Sequence, residues 1–213
     1  MDSCVTAALA ARECDLALLH ATYGQRTAAR ERRAFEEIAD HFGVSAARRR
    51  VLDLSFLGAL GGSALTDTSI PVPEGEPGAG IPITYVPFRN AHLLAAAVSW
   101  AEVLRAHSVW IGAVEEDSSG YPDCRETFLR AFEHAVRLGT ACTPAITIEA
   151  PLVHMRKSEI VLTGVEEGAP LALTWSCYQA SDEPCGRCES CRLREAAFSI
   201  AGVTDPATVN RRA

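Results

Sequence analysis

Cys177, Cys185, Cys188 and Cys191 stand at the spacing C-x7-C-x2-C-x2-C. Two-residue gaps let a tight turn aim two sulfurs at one point, and a longer loop returns Cys177 as the fourth ligand. Four thiolates in that arrangement suit a closed tetrahedral site, read here as a structural zinc ion. Pairing Cys185, Cys188 and Cys191 as disulfides would strain a single turn. Four thiolates can also hold an iron–sulfur cluster. A closed zinc site performs no chemistry, so it should pin the C-terminal segment onto a body that carries the active site.

The formal charge of −7 argues against a long polyanion as substrate, because proteins that grip nucleic acid usually present a basic surface. The basic clusters, Arg30 with Arg32 and Arg33, and Arg48 to Arg50, read as solvated helix faces balanced by Glu31, Glu36 and Glu37. No apolar run reaches the roughly 18 residues of a membrane span, and no signal peptide is expected. Cys4, Cys14, Cys124 and Cys142 are scattered, which fits reduced thiols in the cytoplasm better than a disulfide framework.

Taken in order, Asp2 or Ser3 is a good N-cap for an Ala-rich helix. Asp15 to His20 predicts a strand ending in the polar turn Tyr23-Gly24-Gln25. A helix from about Thr27 to His41 is closed by Gly43. Val51 to Leu54 predicts a second strand, and the strand–helix–strand order implies a parallel right-handed crossover. Gly61 to Ile83, rich in Gly, Pro, Ser and Thr, predicts a long mobile loop. An apolar helix to about Ala106, a third strand at Val109 to Ala113, a further helix opening near Arg125, a fourth strand at Thr147 to Ala150 and a helix from Lys157 complete an α/β pattern. In open parallel sheets ligands sit beyond the carboxyl ends of the strands. Tyr23 to Gln25, Glu116 to Arg125 and Pro151 to Lys157 all fall there.

Together these residues resemble the 7-cyano-7-deazaguanine synthases of the PP-loop ATPase superfamily, which act in queuosine biosynthesis. The resemblance covers nearly the whole chain. It rests on Tyr23-Gly24-Gln25, Tyr85-Val86-Pro87-Phe88-Arg89-Asn90, Ser119-Gly120-Tyr121-Pro122-Asp123-Cys124-Arg125, and Trp175-Ser176-Cys177-Tyr178 leading into the cysteine cluster. It implies a Rossmann-like parallel sheet over residues 1–170 with a zinc-binding segment over 171–213. Family members carry a Ser-Gly-Gly-x-Asp-Ser loop after a first strand, where glycine amides cradle ATP phosphates. Only Met1-Asp2-Ser3 stands here. The sheet is therefore expected to lack its central strand, and the natural protein to begin some residues earlier. The resemblance implies a histidine at the position that Thr27 occupies here.

The family converts 7-carboxy-7-deazaguanine and ammonia to the nitrile with ATP and Mg2+, through adenylated carboxylate and amide. The resemblance implies a phosphate cradle at Asp2 and Ser3, with Lys157 neutralising developing charge. It gives Arg89, Asn90 and Tyr23 to the nucleotide or the substrate carboxylate, with Arg89 offering a bidentate fork. Gln25, Tyr121, Asp123 and Arg125 are given to the deazaguanine or phosphates. Asp123 also reads as an ordinary helix N-cap, and Cys124 as a packed thiol, since adenylation needs no nucleophile. A homodimer is implied. Another PP-loop ligase, or a non-catalytic nucleotide-binding or zinc scaffold, are the competing readings.

Overall fold

In a computed structural model of the chain, residues 1–75, 80–115 and 120–209 are described, without the side chains of 208 and 209. The sequence reading of Glu116 to Ser119 therefore lies outside the described residues. Elements follow the order α1 (Asp2–Ala11), β1 (Leu18–Thr22), α2 (Ala28–His41), β2 (Arg49–Asp53), α3 (Phe56–Leu60), α4 (Arg89–Leu104), β3 (Ser108–Trp110), α5 (Glu126–Gly139), β4 (Thr147–Glu149), α6 (Lys157–Glu166), α7 (Glu189–Ala201) and α8 (Pro206–Val209).

Both strand pairs are parallel, with Leu18 opposite Arg49 in one and Ser108 opposite Thr147 in the other. Each pair is bridged by a helix, as parallel pairing requires. The strands form two separate two-stranded sheets. A cleft of about 600 Å³, lined by Leu18 and Leu19 on one side and by Ser108 to Gly112 on the other, lies between them. Among the described residues no strand fills it.

Local chemistry explains the helices. α2 ends at His41, and beyond the capping Phe42 Gly43 takes a left-handed φ of 64°, a conformation open to glycine without a Cβ clash. α6 opens with a capping box in which Glu159 accepts from the Arg156 amide at 2.8 Å. Its Ile160 and Val161 are fully buried against Val5 of α1 and Ala197 and Phe198 of α7. Burying such side chains stabilises by roughly 1.5–3 kcal/mol each. Gly164 makes the α1–α6 approach possible, since a Cβ there would stand 2.9 Å from Cγ2 of Val5. A second core joins Leu94 and Val98 of α4, Val109 of β3, Ile148 of β4, and Leu129 and Val136 of α5.

The expected loop from Gly61 to Ile83 is held down over its described part. Arg26 donates from Nε to the carbonyl of Ala64 at 2.9 Å, and from Nη2 to the carbonyls of Asp67 at 2.8 Å and Ile70 at 2.6 Å. Ser63, Ala64, Leu65 and Val72 are buried. A polar composition concealed these ties because a single arginine supplies them from a distance in sequence.

Candidate active site

Past the carboxyl ends of β1 and β3 opens a cleft of about 410 Å³ that runs into a hollow of about 220 Å³. Asp2, Tyr23, Arg89 and Tyr121 line both spaces, Ser3, Asn90 and Lys157 line the larger, and Gln25 the smaller. Eight of the ten sequence-derived catalytic, nucleotide and substrate residues therefore converge.

Arg89 is the first residue of α4, placed by Phe88, whose left-handed φ of 59° turns the chain into the helix. Its Nη1 donates to the Tyr23 hydroxyl at 3.1 Å. The guanidinium carbon lies 5.3 Å from the Tyr23 ring centre and 5.8 Å from that of Tyr121, within the range of cation–π attraction. Its Nε is buried without a partner. Burial works against the charge, but Tyr23 and Tyr121 outweigh it and raise the pKa, so Arg89 stays protonated. Burial likewise raises the pKa of Tyr23, and that of Tyr178 strongly, so both stay neutral hydroxyl donors.

In the same cleft, Lys157 at the start of α6 donates to Oδ2 of Asp2 at 2.5 Å. Asp2 Oδ1 is buried without a protein partner. Gly112, just past β3, allows this approach: a Cβ there would meet the carbonyl carbon of Asp2 and the nitrogen of Ser3 at 2.8 Å. The amide end of a ten-residue helix is thus set at the cleft floor, where its dipole favours anions.

Gln25 is buried and spends its amide on two neighbours. Oε1 accepts from the Tyr23 amide at 2.8 Å, and Nε2 donates to Glu31 Oε2 at 3.1 Å. Thr27, also buried, donates to Glu31 Oε1 at 2.6 Å. Glu31 lines both spaces. The reading of Glu31 as part of a solvated helix face is corrected: in the first turn of α2 it faces the cleft. Arg30 beside it stacks over Trp175 at 4.6 Å. Arg33 and Arg49 do pair with Glu37 and Glu36 as expected.

Asp123 and Arg125 are absent from the lining of either space. Asp123 is buried and accepts from the Asn90 amide at 2.8 Å, so it caps α4 across the chain rather than a helix of its own. Burial raises its pKa, against the pull of the Asn90 amide and Arg89. Arg125 is exposed and precedes α5. Cys124 is packed, accepting from Asn90 Nδ2 at 3.1 Å.

The four sulfurs of Cys177, Cys185, Cys188 and Cys191 lie within 4.8 Å of one another. Tetrahedral thiolates about 2.3 Å from a zinc ion would stand only slightly closer, so the residues fit a metal ion. Amides of Gln179, Ala180 and Cys185 point at Cys177 Sγ from 3.3–3.4 Å. Hydrogen bonds from Cys188 and Cys191, joined by those of Cys185 and Ala180, hold its pKa far below the ordinary thiol range. The cluster reaches the cleft through its neighbours. Glu74 bridges Cys188 in antiparallel fashion. Tyr121 donates to Thr84 at 3.0 Å, and Thr84 hydrogen-bonds Glu189 at the start of α7.

Sequence reasoning gave no role to Glu31, Ser176, Tyr178 or Ser190, all of which line the cleft. For Glu31 the available signal was its position four residues after Thr27, one helical turn away.

The family described as "Queuosine biosynthesis protein QueC" matches residues 1–202. The 7-cyano-7-deazaguanine synthase of Acidobacterium capsulatum is 54% identical over 211 residues, 97% of this chain and 91% of the relative. That of Koribacter versatilis is 55% identical, over 97% of this chain and 88% of the relative. That of Chlorobium phaeobacteroides is 50% identical over 214 residues, covering all of this chain and 94% of the relative.

Proposed function

The chain belongs to the QueC family of queuosine biosynthesis proteins, and from that premise we propose that it is an ATP-dependent carbon–nitrogen ligase making 7-cyano-7-deazaguanine. Its substrates are 7-carboxy-7-deazaguanine, ammonia and ATP. The observation that carries this reading is a half-buried, permanently charged Arg89 held between two tyrosines in the cleft that also holds the Asp2–Lys157 pair.

A carboxylate resists ammonia because its charge repels nucleophiles and oxide is a poor leaving group. Transfer of AMP from ATP to the carboxylate forms a mixed anhydride and releases pyrophosphate. Ammonia displaces AMP to give the amide. A second AMP transfer to the amide oxygen lets it leave with a proton from nitrogen, giving the nitrile. Two ATP yield two AMP and two pyrophosphate.

Arg89 orients the carboxylate with its fork of donors. The α1 amides and Lys157 take the negative charge that builds on the departing pyrophosphate. Asp2, whose Oδ1 has no protein partner, together with Ser3 is the group that would hold Mg2+, which neutralises phosphate charge when bound. Tyr23, Tyr121 and Tyr178 supply flat apolar walls to a planar base and keep water out. Zinc at the four cysteines braces the segment that carries Tyr178 and Ser190.

The reading places the enzyme in the cytoplasm, supported by the unpaired thiols of Cys4, Cys14, Cys124 and Cys142 outside the cluster; among the described residues no helix is long and apolar enough to cross a membrane. A homodimer is supported by the exposed Phe56 and Phe88, each edge-on to His92. Pyrophosphate release tests the proposal: 7-carboxy-7-deazaguanine should stimulate it and other carboxylates should not. Stimulation by an unrelated carboxylate alone would replace it with another ligase.

A further inference from the structure

Resting on the synthase reading, we propose that Glu31 is a specificity-determining residue that reads the pyrimidine edge of the deazaguanine. It accepts hydrogen bonds from the ring N1–H and the 2-amino group.

Glu31 combines two properties that a solvated surface glutamate lacks. Its carboxylate lines both the cleft and the adjoining hollow. Its orientation is fixed by two buried donors, Thr27 at 2.6 Å to Oε1 and Gln25 at 3.1 Å to Oε2. The amide of Gln25 cannot flip without loss, because its Oε1 already accepts from the Tyr23 backbone at 2.8 Å. Each carboxylate oxygen accepts one of these bonds and keeps further lone pairs for a ligand.

Among the described residues none of the ion pairs involves Glu31. Arg30, its neighbour in sequence, is turned onto Trp175 instead. An oriented carboxylate that none of these ion pairs engages invites a ligand that brings paired donors. A guanine-type base offers two parallel N–H groups on one edge, the geometry that a bidentate carboxylate accepts best. Tyr23, Tyr121, Tyr178 and Trp175 line the same hollow and suit a flat ring. The cleft is then polarised to match the substrate, with Arg89 for the 7-carboxylate and Glu31 for the donor edge. A base lacking the 2-amino group would leave one oxygen of a desolvated carboxylate unpaired, which is how hydrogen-bonding sites reject close analogues.

The test is calorimetric binding of 7-carboxy-7-deazaguanine and its 2-deamino counterpart to the full chain and to Glu31→Gln, with KM values for base, ammonium and ATP. Wild type is expected to prefer the 2-amino base by about tenfold or more, the weight of a charge-assisted hydrogen bond. Glu31→Gln is expected to lose about 10- to 100-fold in affinity for that base and most of the preference. Its KM for ammonium and ATP should stay within about twofold of wild type. A variant that keeps the preference overturns the inference, as does an effect confined to ammonium or ATP. If the variant does not fold, the wild type still decides, because equal affinity for the two bases overturns it. Nitrile production with an unchanged base preference in Glu31→Gln sinks this inference alone. Absence of both nitrile and base binding in wild type sinks the synthase reading with it.

Discussion

Lys157 Nζ lies 2.5 Å from Asp2 Oδ2, so two residues 155 positions apart join the start of α1 to the start of α6 at the floor of the cleft. The ammonium is thereby fixed beside the amide end of α1, where the proposed mechanism has it take pyrophosphate charge. Lys157→Met is expected to lower kcat for nitrile about a hundredfold, the usual scale for removing one preorganised donor from a transition state, with little change in KM for the base. Steady-state kinetics check this, and an unchanged kcat would remove Lys157 from the chemistry.

Gly112 predicts a purely steric lesion. A methyl group there would come within 2.8 Å of Asp2 and Ser3 backbone atoms, and backbone cannot swing aside as a flexible side chain can. Gly112→Ala should displace the first turn of α1 and raise KM for ATP about tenfold or more, with base binding less affected. Equal losses for both ligands would show that the lesion is general.

The cysteine cluster predicts one zinc per chain, measurable by elemental mass spectrometry. Cys188→Ser should abolish it. Because Gly75 donates to the Arg187 carbonyl at 3.0 Å and Glu74 bridges Cys188, the segment around Val72 should become sensitive to protease. Chelation should lower the melting temperature of wild type and leave that of Cys188→Ser unmoved. Iron and sulfide in place of zinc would correct the metal assignment.

Glu133 gives a pH prediction. Burial would raise its pKa, but the Ile148 amide at 3.1 Å and Arg137 at 2.7 Å overcome that and lower it below the ordinary 4.5. A depressed carboxylate contributes stability that is complete above its unfolded pKa and is lost as pH falls through the folded one. Glu133→Gln should therefore cost about 1 kcal/mol at pH 7. Denaturant titrations should show the difference shrinking below about pH 4.5. A difference that grows on acidification would reverse the assignment.

Much of this site was legible before any coordinates. The cysteine spacing alone defined the cluster, because ligand spacing is local, and the strand–helix order placed Tyr23 and Lys157 at one edge, while Arg89 was reached only through the family resemblance. What stayed hidden depends on non-local pairing. Asp123 looks like a cap for the helix that follows it, yet it caps α4, 33 residues earlier. Glu31 sits in a run of charges typical of a wet surface, and only the burial of Gln25 and Thr27 shows that it turns inward. Thr27 serves as its hydrogen-bond donor at 2.6 Å. Arg26 holds a segment whose glycines and prolines read as mobile. The third strand was expected to reach Ala113 but ends at Trp110, although the Ile111 amide still donates to the Glu149 carbonyl at 2.9 Å.

The most direct measurement is mass-spectrometric detection of 7-cyano-7-deazaguanine formed from 7-carboxy-7-deazaguanine, ATP, Mg2+ and ammonium by the wild-type chain and by Arg89→Ala. The account predicts nitrile from the wild type, with two AMP per nitrile, and at least a hundredfold less from the variant. A folded, zinc-loaded wild type that makes no nitrile, or an Arg89→Ala variant that makes as much as wild type, would contradict it.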